Sequence, residues 1–148
     1  MILVRHIIED ARKRLAVVSR EAPVSRAAEI LADPNTPLVV VCDNEGVAVG
    51  VVSGSDIVKA LARSRADAHK LHSSTIMTRS ILSCHVDQTL QQVWAALNER
   101  SIRAVPVFDD SGCPLGVIHA RDLARALIDE ANEEEELLRD YVLGVGYQ

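Results

Sequence analysis

The sequence is poor in aromatic residues and has no excess of positive charge. Phe, Trp and Tyr together make up 3% of the 148 residues, and the formal net charge is −5 at pH 7. Proteins that bind nucleic acids need a basic surface for the phosphates, and single-strand binders add aromatic side chains on which bases stack. The composition therefore excludes nucleic acid as the expected partner.

Long hydrophobic runs and paired cysteines are missing as well. No stretch approaches the roughly 18 apolar residues of a membrane span, so we expect no contact with a membrane. Arg5 and His6 interrupt the apolar N-terminal stretch before the core of a signal peptide can form. The cysteines are odd in number and widely spaced, so neither a zinc knuckle nor a disulfide framework is indicated. We expect a cytoplasmic protein with reduced thiols at Cys42, Cys84 and Cys113.

The sequence does contain an internal duplication. The stretch GVVSGSDIV at 50–58 returns as GVIHARDLA at 116–124, 66 positions further on, and the same offset aligns Asp43 with Asp109 and Gly46 with Gly112 without a gap. A hydrophobic content of 48% is enough for a core, but one unit of roughly 60 residues buries little surface by itself. Self-similarity at a fixed period indicates a tandem repeat. We therefore expect the two copies to pack against each other.

Both copies predict the same order of elements: a short strand, a helix, a two-stranded hairpin and a second helix. In the first copy these lie at 15–18, 23–31, 38–42 with 47–52, and 57–66, after a short amphipathic helix at 5–14. In the second copy they lie at 81–84, 90–97, 104–108 with 115–118, and from 123 onward, after a polar linker at 63–74. We divide the chain into a first repeat with the N-terminal helix (1–66), a linker with the second repeat (67–131) and an acidic helical tail (132–148).

The tail combines a run of charge with apolar residues. Four consecutive glutamates at 133–136 are typical of a solvated helix face. The apolar residues that follow can form a stripe for docking or dimerisation at Leu137, Leu138, Tyr141 and Val142.

Asp56 and Asp122 occupy the same place in the two copies, where a buried strand leads into a helix. A carboxylate in such a place is costly unless something meets its charge. It can cap the helix by accepting hydrogen bonds from backbone amides, or it can accept hydrogen bonds from a ligand. The sequence leaves both interpretations open, and the two roles can coexist.

The order of elements and the G-h-h-S-x-x-D ending resemble the cystathionine-β-synthase (CBS) domain, and the tandem arrangement resembles a CBS pair, or Bateman module. In the second copy, IMTRSILSC resembles the first strand of that domain, RAVPVFDDSG its central hairpin, and GVIHARDL its last strand and helix start. The resemblance implies an α/β fold in which two β-α-β-β-α repeats are related by a pseudo-twofold axis.

CBS pairs usually bind adenosine-containing ligands in the cleft between the paired sheets. The resemblance thus implies a regulatory module that requires no cofactor and senses AMP, ADP or ATP, or alternatively S-adenosylmethionine or NADH. Because no catalytic or transport domain is attached, the module is expected to act in trans on a separate effector protein. The family also forms disc-shaped dimers, so a homodimer is expected.

The same resemblance assigns roles to individual residues. Asp56 and Asp122 accept hydrogen bonds from ribose hydroxyl groups, Ser53 and its counterpart His119 face the phosphate, and Arg121 is the phosphate cation. The adenine pockets are assigned to Thr36, Pro37 and Leu38 in the first copy and to Ala104, Val105 and Pro106 in the second, with Thr78 and Ile81 joining the pocket of their own, second copy. Since Pro37 lies three positions earlier in the repeat than Pro106, the second-copy site is the expected working site.

Three alternatives stay open or are set aside. A ligand-free dimerisation or interaction scaffold with the same fold is the main rival, and a pH- or metal-responsive site at His119 is the second. An enzyme is not expected, because the spacing defines no Ser-His-Asp, Cys-His or paired metal-ligand motif.

Overall fold

Two small β-sheets carry the two copies of the repeat in this computed structural model, which describes residues 1–146. In the first copy, β1 (Val17–Ser19) pairs in parallel with β2 (Leu38–Cys42), and β2 pairs antiparallel with β3 (Ala48–Ser53). In the second copy, β4 (Ala104–Phe108) pairs antiparallel with β5 (Pro114–His119). The predicted hairpins are therefore confirmed, and the predicted bounds of β2 and β4 match the observed ones.

Helices follow each strand unit in the predicted order. Over residues 1–146 they are α1 (Ile8–Lys13), α2 (Val24–Leu31), α3 (Gly54–Ser64), α4 (Ser73–Ile76), α5 (Leu90–Arg100) and α6 (Ala120–Gly146), with 3-10 turns at Val4–Ile7 and Arg65–Lys70. Both α3 and α6 begin three residues earlier than predicted, because Ser53 and His119 occupy the position that precedes a helix and caps it.

Two segments differ from the sequence expectation. The strand predicted at 81–84 is reduced to a single parallel bridge between Cys84 and Val107, held by the Cys84 N–H on the Pro106 carbonyl at 3.0 Å. The segment predicted as a polar linker, 63–74, is helical over much of its length and buries two small residues completely. One of them, Ser73, donates both its backbone N–H and its hydroxyl to the Ala22 carbonyl, each at 2.8 Å.

Each copy completes the hydrophobic core of the other through the segment that precedes it. We call these segments the N-terminal lead-in (residues 4–16) and the second lead-in (residues 73–82). The first contributes Val4 and Ala11 to the core around Leu90 and Ile118 of the second copy. The second packs Met77 and its neighbour Ile76 into the core of the first copy. A third cluster joins β2 directly to β4 and β5.

Two glycines allow the lead-ins to approach the sheets. A Cβ atom on Gly50 would lie 2.5 Å from Met77 Sδ, and one on Gly116 would lie 2.7 Å from the backbone carbonyl carbon of Ala11. Both glycines and both partners are separated by the repeat length of 66, so the two close approaches are equivalent. The internal symmetry therefore extends from the sequence to the packing.

The last part of α6 extends away from the two repeats. Every residue from Ala131 to Gly144 is exposed, including the glutamates at 133–136 and the predicted apolar stripe, where Tyr141 is 70% exposed. The glutamates at 133–136 lie on an exposed helix, as expected. The role of the stripe and the division of the chain at 66 and 131 stay predictions, and positions 147–148 of the predicted tail lie outside the described residues. Among residues 1–146, no helix has both the length and the apolar character to cross a bilayer.

Candidate functional site

A cavity of about 380 Å³ opens between the two copies, and we call it the first cleft. Its walls come from β2, β3 and the start of α3 in the first copy, and from the second lead-in, the end of α5 and β4 in the second copy. The predicted residues that line it are Ser53, Asp56, Pro37, Leu38, Thr78, Ile81, Ala104 and Pro106. The volume lies in the range of small-molecule sites.

Asp56 lines the first cleft, and both of its carboxylate oxygens accept hydrogen bonds. The Oδ2 atom accepts a hydrogen bond from the Ser53 backbone N–H at 2.9 Å, and the Ser53 hydroxyl donates to it at 3.2 Å. The Oδ1 atom accepts from the Thr78 hydroxyl at 3.0 Å. Asp56 therefore helps to cap α3 by bonding back to Ser53, as one interpretation expected, and it is also a half-buried residue of the cavity wall.

The rest of the first cleft divides into an apolar part and a cationic part. Pro37, Leu38, Ile81 and Ala104 offer apolar surface of the kind that packs on a flat ring. Arg100 and Arg103 stand at the segment that leads into β4, and both line the cavity. A guanidinium group recognises phosphate through several donors in a fixed plane. The cleft therefore combines a ring site, a carboxylate and two cations.

Arg100 and Arg103 were missed by the sequence analysis, although a signal was present. Arg103 aligns with Pro37 at the repeat offset of 66, and Pro37 had been assigned to a pocket. The four residues Arg100 to Arg103 thus occupy the place of 34–37 in the first copy. The repeat alignment would have pointed to them if it had been applied in both directions.

The assignment of Thr78 and Ile81 to the second-copy site is wrong. Both line the first cleft, and Thr78 binds Asp56 of the first copy, because the second lead-in crosses to the opposite copy. Ala104 and Pro106, which were assigned to the adenine pocket of the second copy, also line the first cleft. Val105 instead lies in the core of the second copy, since successive residues of a strand point to opposite faces. Thr36 lies in the turn before β2, with its N–H on the Asp33 carbonyl at 3.0 Å.

Asp122, the counterpart of Asp56, is bound by an arginine of the N-terminal lead-in. Arg14 donates from Nε to Asp122 Oδ2 and from Nη2 to Asp122 Oδ1, the latter at 3.2 Å. The two side chains are 22% and 24% exposed. The hydrogen bond to Asp122 is the main reason that the pKa of Arg14 is raised, and desolvation opposes it. The charge of Asp122 is therefore met from inside the protein.

His119 replaces the Ser53 of the first copy as the residue that caps the following helix. Its Nδ1 accepts a hydrogen bond from the Arg121 backbone N–H at 3.0 Å, which leaves the proton of the neutral ring on Nε2. Burial lowers the pKa of His119, and nearby Arg121, Arg14 and Arg103 lower it further, against the opposing effect of Asp122. The imidazole is thus held neutral, and the exposed Arg121 is the cation beside it.

The remaining chemistry-bearing residues do not form a further centre. In residues 1–146, no group of three His, Cys, Asp or Glu side chains has the arrangement of a metal site. All three cysteines are free. Burial raises the pKa of the Cys84 thiol to about 12, and burial also raises the pKa of Cys42, so both thiols stay protonated and unreactive at neutral pH.

Comparison with known families identifies the fold. The CBS domain family matches residues 4–63 and again residues 74–129, which together cover more than half of the chain. The chain therefore belongs to the CBS-domain family and carries two CBS repeats in tandem.

Curated relatives share this module within longer proteins. The L-aspartate semialdehyde sulfurtransferase of Methanocaldococcus jannaschii is 30% identical over 102 residues, and the 5′-AMP-activated protein kinase subunit gamma-3 of Bos taurus is 26% identical over 120 residues. These matches cover 69% and 77% of this chain but only 19% and 24% of the relatives. The chain thus spans about a fifth to a quarter of their length.

Solved structures match nearly the whole module. A CBS-domain containing protein from Agrobacterium tumefaciens has a TM-score of 0.72 and 27% identity over 84% of this chain and 98% of its own. The CBS domain pair of protein MJ0100, solved with 5′-methylthioadenosine and S-adenosyl-L-methionine, has a TM-score of 0.72 and 27% identity, over 88% of this chain and 98% of its own. The protein CBSX2, solved with AMP, has a TM-score of 0.73 and 25% identity, over 88% of this chain and 99% of its own.

Proposed function

We propose that this protein is a non-catalytic regulatory module that binds an adenosine-containing ligand in the first cleft. The observation that carries the proposal is the composition of that cleft, in which apolar walls, the Asp56 carboxylate and two arginines surround one cavity of about 380 Å³. The AMP and S-adenosyl-L-methionine complexes of its structural relatives support the same ligand class.

The cleft suggests a role for each part of such a ligand. The adenine ring packs between Pro37, Ile81 and Ala104, and the ribose hydroxyl groups donate to Asp56, where charge-assisted bonds contribute about 1.5–3 kcal/mol each. The phosphate then faces Arg100 and Arg103. This pair of cations favours AMP, ADP, ATP or NADH over S-adenosylmethionine, whose sulfonium is itself positively charged.

The first cleft is preferred over the equivalent site of the second copy, which contains Asp122 and His119 and which we call the second cleft. This preference reverses the sequence prediction. The second cleft was favoured because of the position of Pro37 in the repeat, yet Pro37 lines the first cleft together with Thr78 and Ile81. In the second cleft the equivalent carboxylate, Asp122, is already engaged by Arg14. A ligand there competes with an internal ion pair.

Regulation acts through a separate effector protein in this proposal, and the chain works as a homodimer in the cytoplasm. Binding changes the effector only if the ligand prefers one arrangement of the two repeats or of two subunits. The exposed stripe on α6, which includes Leu137 and Tyr141, offers an apolar surface for such an assembly. Several relatives are named as enzymes, but the chain spans only a small part of their length.

Ligand-dependent thermal unfolding tests the proposal. The wild type, Asp56→Asn and the matched control Asp122→Asn are heated with AMP, ADP, ATP, NADH or S-adenosylmethionine. A ligand at a hundredfold its Kd stabilises the fold by about 2.7 kcal/mol, which raises the Tm of a chain of this size by about 5–11 °C. We expect the shift with a phosphate-bearing ligand, its loss in Asp56→Asn and its retention in Asp122→Asn.

A ligand-free scaffold is the second candidate, and the capping role of Asp56 favours it. Because Asp56 accepts the Ser53 backbone N–H, its presence has a structural reason without any ligand. If none of the five compounds shifts the Tm, while Asp56→Asn is merely less stable, the aspartate is a cap only and the scaffold interpretation is correct.

A further inference from the structure

We infer that Arg14 is an internal plug of the second cleft, so that the protein binds one ligand per chain although it has two copies of the binding motif. The inference rests on the proposed function, because it states which of two equivalent clefts is open to an adenosine-containing ligand. It also names the side chain that makes the difference.

The repeat alignment shows where the two clefts diverge. At the offset of 66, Thr78 and Ser80 of the second lead-in correspond to Arg12 and Arg14 of the N-terminal lead-in. Thr78 and Ser80 line the first cleft with short hydroxyl side chains. The second cleft has a long cation at the place of Ser80, and that cation reaches the aspartate.

The contacts of Arg14 span the second cleft from side to side. Its Nε and Nη2 atoms hold both carboxylate oxygens of Asp122, and its Nη1 atom donates to the Asn35 carbonyl at 3.3 Å. Asn35 corresponds to Ser101, which lines the first cleft. The guanidinium therefore joins the two residues that correspond, at the repeat offset, to Asp56 and Ser101 on the walls of the first cleft.

The arrangement also explains why the plug is not easily displaced. A planar guanidinium that meets a carboxylate with two nitrogens forms the strongest type of side-chain ion pair. Both partners are only about a quarter exposed, so water screens the pair less than it screens a surface pair. A ribose hydroxyl on Asp122 would have to replace this pair and leave Arg14 without its carboxylate. The open cavity that does reach Asp122, about 200 Å³, lies on the α1 side, against Ala11 and Asp129.

A gain-of-binding experiment tests the inference. AMP is titrated calorimetrically into the wild type, Arg14→Ser, Asp56→Asn and the double variant Asp56→Asn with Arg14→Ser. We expect one site per chain in the wild type, two in Arg14→Ser, none in Asp56→Asn and one in the double variant. Adding Asp122→Asn to the double variant must abolish binding again, which assigns the new site to the second cleft.

Two further variants separate the plug from a general effect of charge or folding. Arg12→Ser removes a cation of the same lead-in that pairs with Glu9 at 3.0 Å rather than with Asp122, and it must keep one site. Arg14→Gln removes the charge while keeping a long side chain, and replaces Arg14→Ser if that variant fails to fold. Circular dichroism confirms the fold of every variant.

The outcomes distinguish this inference from the proposed function. Two sites in the wild type, or a folded Arg14→Ser with the same number of sites as the wild type, overturn the plug. A wild type that binds no AMP, together with an Arg14→Ser that binds one through Asp122, contradicts the first-cleft proposal and supports the plug.

Discussion

In the first cleft, the Thr78 hydroxyl donates to Asp56 and Ser80 also lines the cavity. The equivalent positions of the second copy are Arg12 and Arg14, and Arg14 holds Asp122. Both clefts come from the same duplicated unit, and in both copies an equivalent glycine, Gly50 or Gly116, lies where the lead-in crosses the sheet. The comparison teaches that the repeat determines where a site can lie, while the lead-in that crosses from the other copy determines whether the site is open.

The crossings of the two lead-ins provide the largest expected difference between the copies. In Gly116→Ala the new methyl group would meet the backbone of Ala11 at 2.7–2.9 Å, and backbone cannot move aside cheaply. In Gly50→Ala it would meet mainly the end of the flexible Met77 side chain. We expect a loss of about 3 kcal/mol in Gly116→Ala and about 1 kcal/mol in Gly50→Ala, measured by urea unfolding.

Equal losses in the two glycine variants would contradict this view of the crossings. In that case the Thr78 carbonyl oxygen, which lies 3.0 Å from the place that a methyl group on residue 50 would take, constrains the second lead-in as rigidly as the backbone of Ala11 constrains the first.

The last helix of each repeat, α3 or α6, ends differently in the two copies. A substitution at the end of α3 should change the free energy of unfolding less than Gly116→Ala does, and in the opposite direction. The helix α3 stops at Ser64, and Arg65 follows with φ of 51° and ψ of −125°, a conformation that costs a residue with a Cβ atom. The equivalent position in the second copy, Ala131, continues α6. Arg65→Gly should stabilise the fold by about 1 kcal/mol, since glycine relieves the strain.

Ser101→Gly is the matched control for Arg65→Gly, because Ser101 also has a positive φ, 53°, but lies in the ordinary left-handed region. Its unfolding free energy should change by about 0.5 kcal/mol or less, because the relief is offset by the greater backbone freedom of glycine in the unfolded chain. A larger gain at Ser101 than at Arg65 would show that the strain lies elsewhere.

The smallest expected effect on stability comes from the difference between the capping residues Ser53 and His119, and it depends on pH. Because the pKa of His119 is lowered in the folded protein by burial and by Arg121, the unfolded state binds the proton more readily. Stability should therefore fall as the pH drops below the ordinary histidine range towards the lowered pKa, and should level off below it. His119→Ser, which copies Ser53, removes this contribution.

The measurement is the change in urea midpoint between pH 7.5 and pH 5.5. It should be smaller in His119→Ser than in the wild type, while His69→Ser, at an exposed position, should retain the wild-type change. A wild-type change that survives in His119→Ser would assign the acid sensitivity to other groups.

Much of the fold was accessible from the sequence because it depends on local patterns. The repeat, the hairpins and the order of helices follow from apolar runs and turn residues, and Gly46 and Gly112, both with φ of 83°, occupy the predicted tight turns. The helix starts were placed three residues late because the helices were begun after the whole capping segment, whereas the residues that follow Ser53 and His119 already belong to the first turn.

The contacts that the lead-ins make in the clefts could not be predicted from local sequence patterns. Arg14 and Asp122 are 108 positions apart, and Thr78 meets Asp56 of the other copy. Those contacts follow from the exchange of lead-ins, which is a property of tertiary packing and leaves no local pattern. The interpretation of Asp56 as both cap and cavity residue was correctly left open, since one side chain satisfies both.

The exchange of lead-ins also has a consequence for the order in which the chain can fold during synthesis. The first copy obtains the last part of its core from Ile76 and Met77, soon after its own strands have been made. The N-terminal lead-in must wait for Ile118 of the second copy. Ile2, just before the lead-in, must wait for Glu130, whose side chain accepts a hydrogen bond from the Ile2 N–H across 128 positions. Closing so long a loop is slow relative to local steps. The N-terminal lead-in is thus made before both repeats and is among the last segments to find its place.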